Sequence, residues 1–130
     1  MNLLIPASVG ELIDKITILE IKAKRIDDSA KLANINKELD ALMAVVADQQ
    51  LGYPTGALAK LGQQLASVNL QLWEIEDEIR DCERQACFDD RFVGLARSVY
   101  QRNDERARIK RVINAACGSV LVEEKSYAAY

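Results

Sequence analysis

Three stretches of the chain carry apolar residues at alternating spacings of three and four. The longest comprises Leu58, Leu61, Leu65, Val68, Leu72, Ile75 and Ile79. The other two comprise Val9, Leu12, Ile16, Leu19, Ala23 and Ile26, and then Leu32, Ile35, Leu39, Leu42 and Val46. Because this repeat averages about 3.5 residues, it keeps an apolar seam on one side of each helix, and such helices pack side by side. The sequence therefore predicts an all-α fold with coiled-coil-like packing.

Capping signals place the first two helices. Ser8 begins an S-x-x-E capping box, in which two backbone amides at a helix start are satisfied by side chains. We therefore expect helix 1 over residues 9–26. Asp28 or Ser29 can cap helix 2, which is expected to end near residue 48.

The remaining two helices are predicted to be longer. Thr55 is the expected cap of helix 3, which should continue to about Ala86. A carboxylate in the turn at 88–90 can cap helix 4, and this helix should end near Cys117 with Gly118 as its left-handed terminating residue.

These lengths predict a four-helix bundle of two antiparallel hairpins, the second longer than the first, within one domain over residues 1–130. The shorter hairpin cannot cover the longer one, so apolar surface should remain bare and favour a two-fold homodimer. Residues 118–130 form a tail whose apolar side chains suggest that it packs against another surface. They are Val120, Val122, Tyr127 and Tyr130.

The composition disfavours several classes of protein. The net charge of −3 argues against a nucleic-acid-binding protein, whose surface is usually basic. No apolar run approaches the roughly 18 residues needed to cross a membrane, and the N-terminus lacks the basic region of a signal peptide. We expect a cytoplasmic protein.

The chain contains no histidine and three cysteines without a C-x-x-C spacing. A Cys/His zinc site and every Ser-His or Cys-His nucleophile pair are thereby excluded. Cys82 extends the longest apolar seam by one step, which favours packing in the core over redox chemistry.

Polar residues interrupt the seam of helix 4 and flank those of helices 1 and 3. Polar residues buried in a layer inside a bundle destabilise it unless they form hydrogen bonds or ion pairs with one another or bind a ligand. The candidate layer consists of Glu20, Asn69, Trp73, Glu76, Arg80, Arg102, Asn103, Arg106 and Lys110. For Trp73, core filling is favoured over ligand stacking.

Charge also divides the long hairpin. Residues 74–90 contain eight acidic and two basic side chains, whereas residues 91–111 contain seven basic and two acidic ones. An antiparallel hairpin would place Arg97 and Arg102 opposite carboxylates. Those carboxylates are Glu74, Glu76, Asp77 and Glu78.

Arg106 and Lys110 instead fall opposite an uncharged part of helix 3. Their counter-charges must come from helix 1 (Glu11, Asp14 or Glu20), from helix 2, from another subunit or from a bound anion. Structural salt bridges, an anionic ligand and nucleic acid are the three interpretations, with salt bridges favoured. Arginine clusters suit phosphate and carboxylate because the guanidinium forms two parallel hydrogen bonds.

Two carboxylate groups have spacings that a divalent metal could use. They are Glu11 with Asp14, and Glu74 with Asp77 and Glu78. Acidic pairs three residues apart are common on exposed helices, and the spacing matches the paired E-x-x-E elements of helical pyrophosphohydrolases poorly. No metal and no cofactor are predicted.

Five segments resemble a family of small, uncharacterised, all-helical bacterial and phage proteins. They are SVGELIDKITILE at 8–20, WEIED at 73–77, ARSVY at 96–100, NDER at 103–106 and VEEKSY at 122–127. The resemblance implies a free-standing domain. Because the family has no established activity, it implies no catalytic residue.

The sequence thus favours a non-catalytic binding or assembly module that forms a homodimer. The alternative is a small helical enzyme acting on an anionic metabolite that bears phosphate or carboxylate. In that case Arg106 and Lys110 would grip the anion, and Glu20 or Glu76 would act as acid or base.

Overall fold

A computed structural model describes all 130 residues and contains four helices and no strand. The helices are α1 (Val9–Arg25), α2 (Ser29–Asp48), α3 (Ala59–Arg84) and α4 (Asp90–Cys117). The predicted all-α fold of four helices with a longer second hairpin is confirmed. No helix combines the length and the apolar character that crossing a membrane requires.

Three of the four predicted N-terminal caps are present. Side-chain oxygens of Ser8, Asp28 and Asp89 accept hydrogen bonds from amides in the first turns of α1, α2 and α4. Each bond satisfies a donor that has no partner within its helix. At the other end of α4, Gly118 adopts the expected left-handed conformation with a φ of 63°.

The predicted start of helix 3 at Thr55 was wrong. This helix begins at Ala59, and Leu58 precedes it without a side-chain cap. The loop instead folds back on itself, because Gly56 packs against Gly52 and the Leu58 amide donates to the Gly52 carbonyl at 3.0 Å. The helix also ends at Arg84, two residues earlier than expected.

The core lies between α1, α3 and α4. Helix α1 contacts each of the other three helices, whereas α2 contacts α1 alone among them. The main apolar cluster contains buried residues from α1, α3 and α4, together with one residue from the loop that precedes α3. Its members are Ile13, Leu58, Leu65, Val68, Ile109 and Ile113.

The far end of the long hairpin projects beyond α1. Helix α1 ends at Arg25, whose side chain reaches Glu74 at 3.2 Å, and α3 continues for about ten more residues, or about 15 Å. We call residues 77–97 the hairpin tip. Of its apolar side chains only Cys82 is buried, which confirms the expected packing role of that cysteine.

Candidate functional site

A buried carboxylate on α1 lies at the centre of the polar layer. Asp14 is 1% exposed, although it sits among apolar core residues of the same helix. Asn69 of α3 donates through Nδ2 to Asp14 Oδ1 and to Thr17 Oγ1, both at 2.9 Å. The Thr17 hydroxyl donates to the Asp14 carbonyl oxygen at 2.8 Å. These bonds fix the orientation of the carboxylate between α1 and α3.

Arg106 of α4 completes the coordination of this carboxylate. Its Nε donates to Asp14 Oδ1 at 2.8 Å and its Nη2 donates to Asp14 Oδ2, which is the two-point geometry that a guanidinium and a carboxylate prefer. A longer bond runs from Nη1 to Asn103 Oδ1 at 3.4 Å. The hydrogen bonds to Asp14 raise the pKa of Arg106 above its ordinary value. One buried ion pair therefore ties together α1, α3 and α4.

Lys110, one turn further along α4, forms a second ionic group. Its side chain is only 8% exposed, and Nζ lies 2.7 Å from Glu11 Oε2 and 2.7 Å from Glu123 Oε2. Burial acts to lower the pKa of Lys110, but the hydrogen bonds to both carboxylates outweigh it, so the pKa is raised. Hydrogen bonds from Lys110 and Lys125 lower the pKa of Glu123 to about 2. Glu123 thus fastens the C-terminal tail to α4.

The low pKa of Glu123 predicts the pH range in which its ion pairs, and their hold on the tail, are lost. A carboxyl whose pKa is lowered by folding stabilises the folded state above its ordinary pKa of 4.5, and that stabilisation is lost as the pH falls toward 2. In an NMR titration we expect Glu123 to titrate near pH 2. Lys110→Met should raise its pKa toward 4.5, whereas Arg111→Met, a change one residue away, should leave it low. A native Glu123 that titrates near 4.5 would contradict this docking of the tail.

Close approach of α1 and α4 accompanies these ionic contacts. The Gly10 amide donates to Asn114 Oδ1 at 2.7 Å, and a Cβ added at Gly10 would lie 2.6 Å from the Lys110 carbonyl oxygen. Only glycine fits at this contact without moving a backbone. The first turn of α1 is therefore held directly against the last turns of α4.

We call these joined residues the polar cluster. It comprises Glu11, Asp14, Thr17, Asn69, Asn103, Arg106, Lys110, Asn114 and Glu123. No buried side-chain nitrogen or oxygen of the protein lacks a hydrogen-bond partner. The cations of the cluster are matched by carboxylates of the same chain, which is the arrangement expected of structural salt bridges.

The structure brings together most of the predicted site residues. Four of them, Asn69, Asn103, Arg106 and Lys110, belong to the polar cluster. Next to the cluster runs an open groove of about 560 Å³ between α1, α3 and α4. Six of the predicted residues line it, and they are Asn69, Trp73, Glu76, Arg80, Asn103 and Arg106. Trp73 lies half-buried at this groove.

Two predicted site residues lie elsewhere. Arg102 donates to Gln71 Oε1 at 3.3 Å, outside the cluster. Glu20 makes no hydrogen bond or ion pair with Arg106 or Lys110. Burial raises the pKa of Glu20, and its charge instead acts on Tyr53, whose pKa burial and Glu20 together raise to about 12.

The predicted pairing of charges across the long hairpin was wrong for its central residues. Arg97 forms no ion pair, and Arg102 contacts Gln71 rather than a carboxylate. Because α3 ends two residues early, the residue opposite Arg102 shifts from Glu74 to near Gln71. The carboxylates find other cations, since Glu74 pairs with Arg25, Glu76 with Arg80 and Glu78 with Arg91.

Three members of the cluster were not identified from the sequence. Thr17 lies one turn after Asp14 in α1, and this spacing is a usable signal. Asn114 and Glu123 carry no such signal, because their roles depend on how α4 meets Gly10 and on where a non-helical tail docks. Glu11 and Asp14 were foreseen only as possible sources of counter-charge.

Comparison with known protein families shows which family the chain belongs to. One family model matches residues 3–130, nearly the entire length. The chain belongs to that family, a family of unknown function designated DUF6165. The expected membership of an uncharacterised family is confirmed, while a bacterial or phage origin stays a prediction. Searches of curated proteins and of solved structures found no match.

Proposed function

We propose that this protein is a non-catalytic binding and assembly module that forms a homodimer through its hairpin tip. The observation that carries the proposal is the projection of the tip, residues 77–97, beyond the helix that covers the rest of the long hairpin. In the tip Phe88 is 55% exposed and Val93 is 50% exposed, whereas Leu65 in the body is fully buried. Exposed apolar side chains that cluster on a projecting part of a protein often mark an interface.

A second copy of the chain is the occupant that the charges favour. Asp77 and Glu83 on α3 and Arg97 on α4 form no ion pair within the chain, although all three lie in the tip. Two-fold symmetry can place α3 of one copy beside α4 of the other. The acidic helix of each copy would then face the basic helix of its partner, so the unpaired charges are complementary in a self-association.

The polar cluster argues against the enzyme alternative. The enzyme alternative requires Arg106 and Lys110 to be available for an anion, but both already contact carboxylates of the chain. It also requires an acid or base next to them. Glu20 lies apart from the pair, and Glu76 forms an exposed ion pair with Arg80.

Two matched variants test the location of the interface. Val93 lies in the tip, and Val45 on α2 is 44% exposed, so glutamate at either position should leave the monomer folded. Sedimentation equilibrium at tens of micromolar should give twice the 14.5 kDa chain mass for the native protein and for Val45→Glu. Val93→Glu should be monomeric, because dimerisation would bury its charge against apolar surface.

Far-UV dichroism checks that both variants keep the helix content of the native protein. A native protein that sediments only at 14.5 kDa would overturn the proposed dimer. If both variants dissociate to the same extent, or if neither dissociates, the interface does not lie at the tip.

A further inference from the structure

The C-terminal tail borders an open cavity against α4, which lies apart from the hairpin tip and shares only Asn103 with the polar cluster. The tail is fastened at one end by Glu123 on Lys110, and at the other by Tyr130, whose ring meets that of Tyr100 edge-on with centroids 4.9 Å apart. Between these anchors remains a space of about 970 Å³. This volume lies within the range of small-molecule sites.

The cavity has a cationic end that the chain leaves available. Arg111 of α4 lines it and forms no ion pair, unlike the neighbouring cations Arg106, Arg108 and Lys110. Lys125 of the tail lies on the same wall, where it bonds Glu123 at 3.0 Å and stands 5.8 Å from the centroid of the Tyr127 ring. Arg111 is therefore free to form the two parallel hydrogen bonds that a phosphate accepts.

The other walls suit a ring that carries polar groups. Tyr100, Tyr127 and Tyr130 line the cavity; Tyr130 packs edge-on against Tyr100, whereas the Tyr127 ring is largely exposed and free to contact a ligand. Tyrosine offers a rigid flat face for stacking. Between the rings and Arg111, Asn103 and Asp104 provide acceptors for ligand hydroxyl or amino groups.

We infer that this cavity binds a small phosphomonoester of a ring-bearing compound. Arg111 would hold the phosphate, the three tyrosines would contact the ring, and Asp104 would accept from a hydroxyl or amino group. The ring could belong to an aromatic base or to a sugar, and both sources share this chemistry. The inference is independent of the proposed dimer, which uses residues on a different part of α4.

Isothermal titration calorimetry of the full-length protein tests the site with three probes: adenosine monophosphate, glucose 6-phosphate and inorganic phosphate. We expect one ring-bearing phosphate to bind at one site per chain, about tenfold or more tighter than inorganic phosphate, because stacking adds to the phosphate contact. Preference for the adenosine compound would identify an aromatic ring, and preference for the sugar compound would identify a carbohydrate.

A matched pair of arginine variants separates the site from general charge effects. Arg111→Gln should weaken binding about tenfold or more, since a charge-assisted contact is lost. Arg108→Gln on the same helix removes an equal charge from a residue that is exposed, pairs with Glu105 and does not line the cavity. It should bind as the native protein does. No binding of any probe, equal binding of all three, or equal loss in both variants would overturn the inference.

Discussion

Replacing Arg106 by alanine is expected to lower the free energy of unfolding by about 3 kcal/mol, because Asp14 would stay buried without its two-point partner. Asn69 would remain as a donor to the carboxylate, but it carries no charge. Urea denaturation monitored by dichroism measures the loss. The midpoint urea concentration should fall, while the dependence of the unfolding free energy on urea should stay the same.

Two further variants identify the cause. Arg108→Ala removes an exposed arginine of the same helix that pairs with Glu105, so its effect should stay below about 1 kcal/mol. Asp14→Asn introduced into the Arg106→Ala background removes the unpaired charge and should restore part of the lost stability.

The same variant tests the hypothesis that the polar layer binds an anion. If Arg106 and Lys110 formed an anion pocket, their charges would repel when the pocket is empty, and Arg106→Ala would be neutral or stabilising. Phosphate would then raise the melting temperature of the native protein but not that of the variant. A destabilised variant together with a native protein that phosphate does not stabilise would assign the pair a structural role.

Gly10→Ala is expected to destabilise the protein by about 2 kcal/mol, because its Cβ would lie 2.6 Å from the Lys110 carbonyl oxygen and 2.8 Å from Asn114 Oδ1. The first of these atoms belongs to the backbone of α4, so it cannot rotate away as a side-chain atom could. Helix α1 would have to shift away from α4, which would also lengthen the contact between Lys110 and Glu11. Chemical denaturation of the variant measures the cost.

Gly94 supplies the control for this substitution. It lies within α4, and a Cβ added there meets nothing within 4 Å. At a concentration low enough to keep the chain monomeric, Gly94→Ala should therefore stabilise the protein by about 0.5–1 kcal/mol through its better helix propensity. If Gly10→Ala were as stabilising as Gly94→Ala, the close contact of α1 with α4 would be contradicted.

Much of the fold followed from local signals. The caps at Ser8, Asp28 and Asp89 and the left-handed Gly118 act within one helical turn, so their residues suffice to place them. The start of α3 could not be placed in this way. The preceding loop is shaped by distant packing, since the Tyr53 ring lies where a side chain at position 62 would otherwise be.

The site was predictable only where polar residues broke an apolar seam. Asn69, Arg106 and Lys110 were identified on that basis, and their neighbours Thr17 and Asn114 were not. Glu20 was assigned to the layer because it lies near the seam of α1, but it lies six positions after Asp14 in the helix. At 3.6 residues per turn this is about 120° around the helix, so Glu20 points toward Tyr53 instead.

Hydrogen–deuterium exchange at two protein concentrations tests the proposed assembly surface most directly. Association should hold the tip helices closed against local opening, which otherwise permits exchange. We expect the amides of residues 77–97 to exchange more slowly in the concentrated sample, while the exchange of those of α1 and α2 does not change. Equal exchange of the tip at both concentrations, or slowing confined to α1 and α2, would contradict the proposed assembly surface.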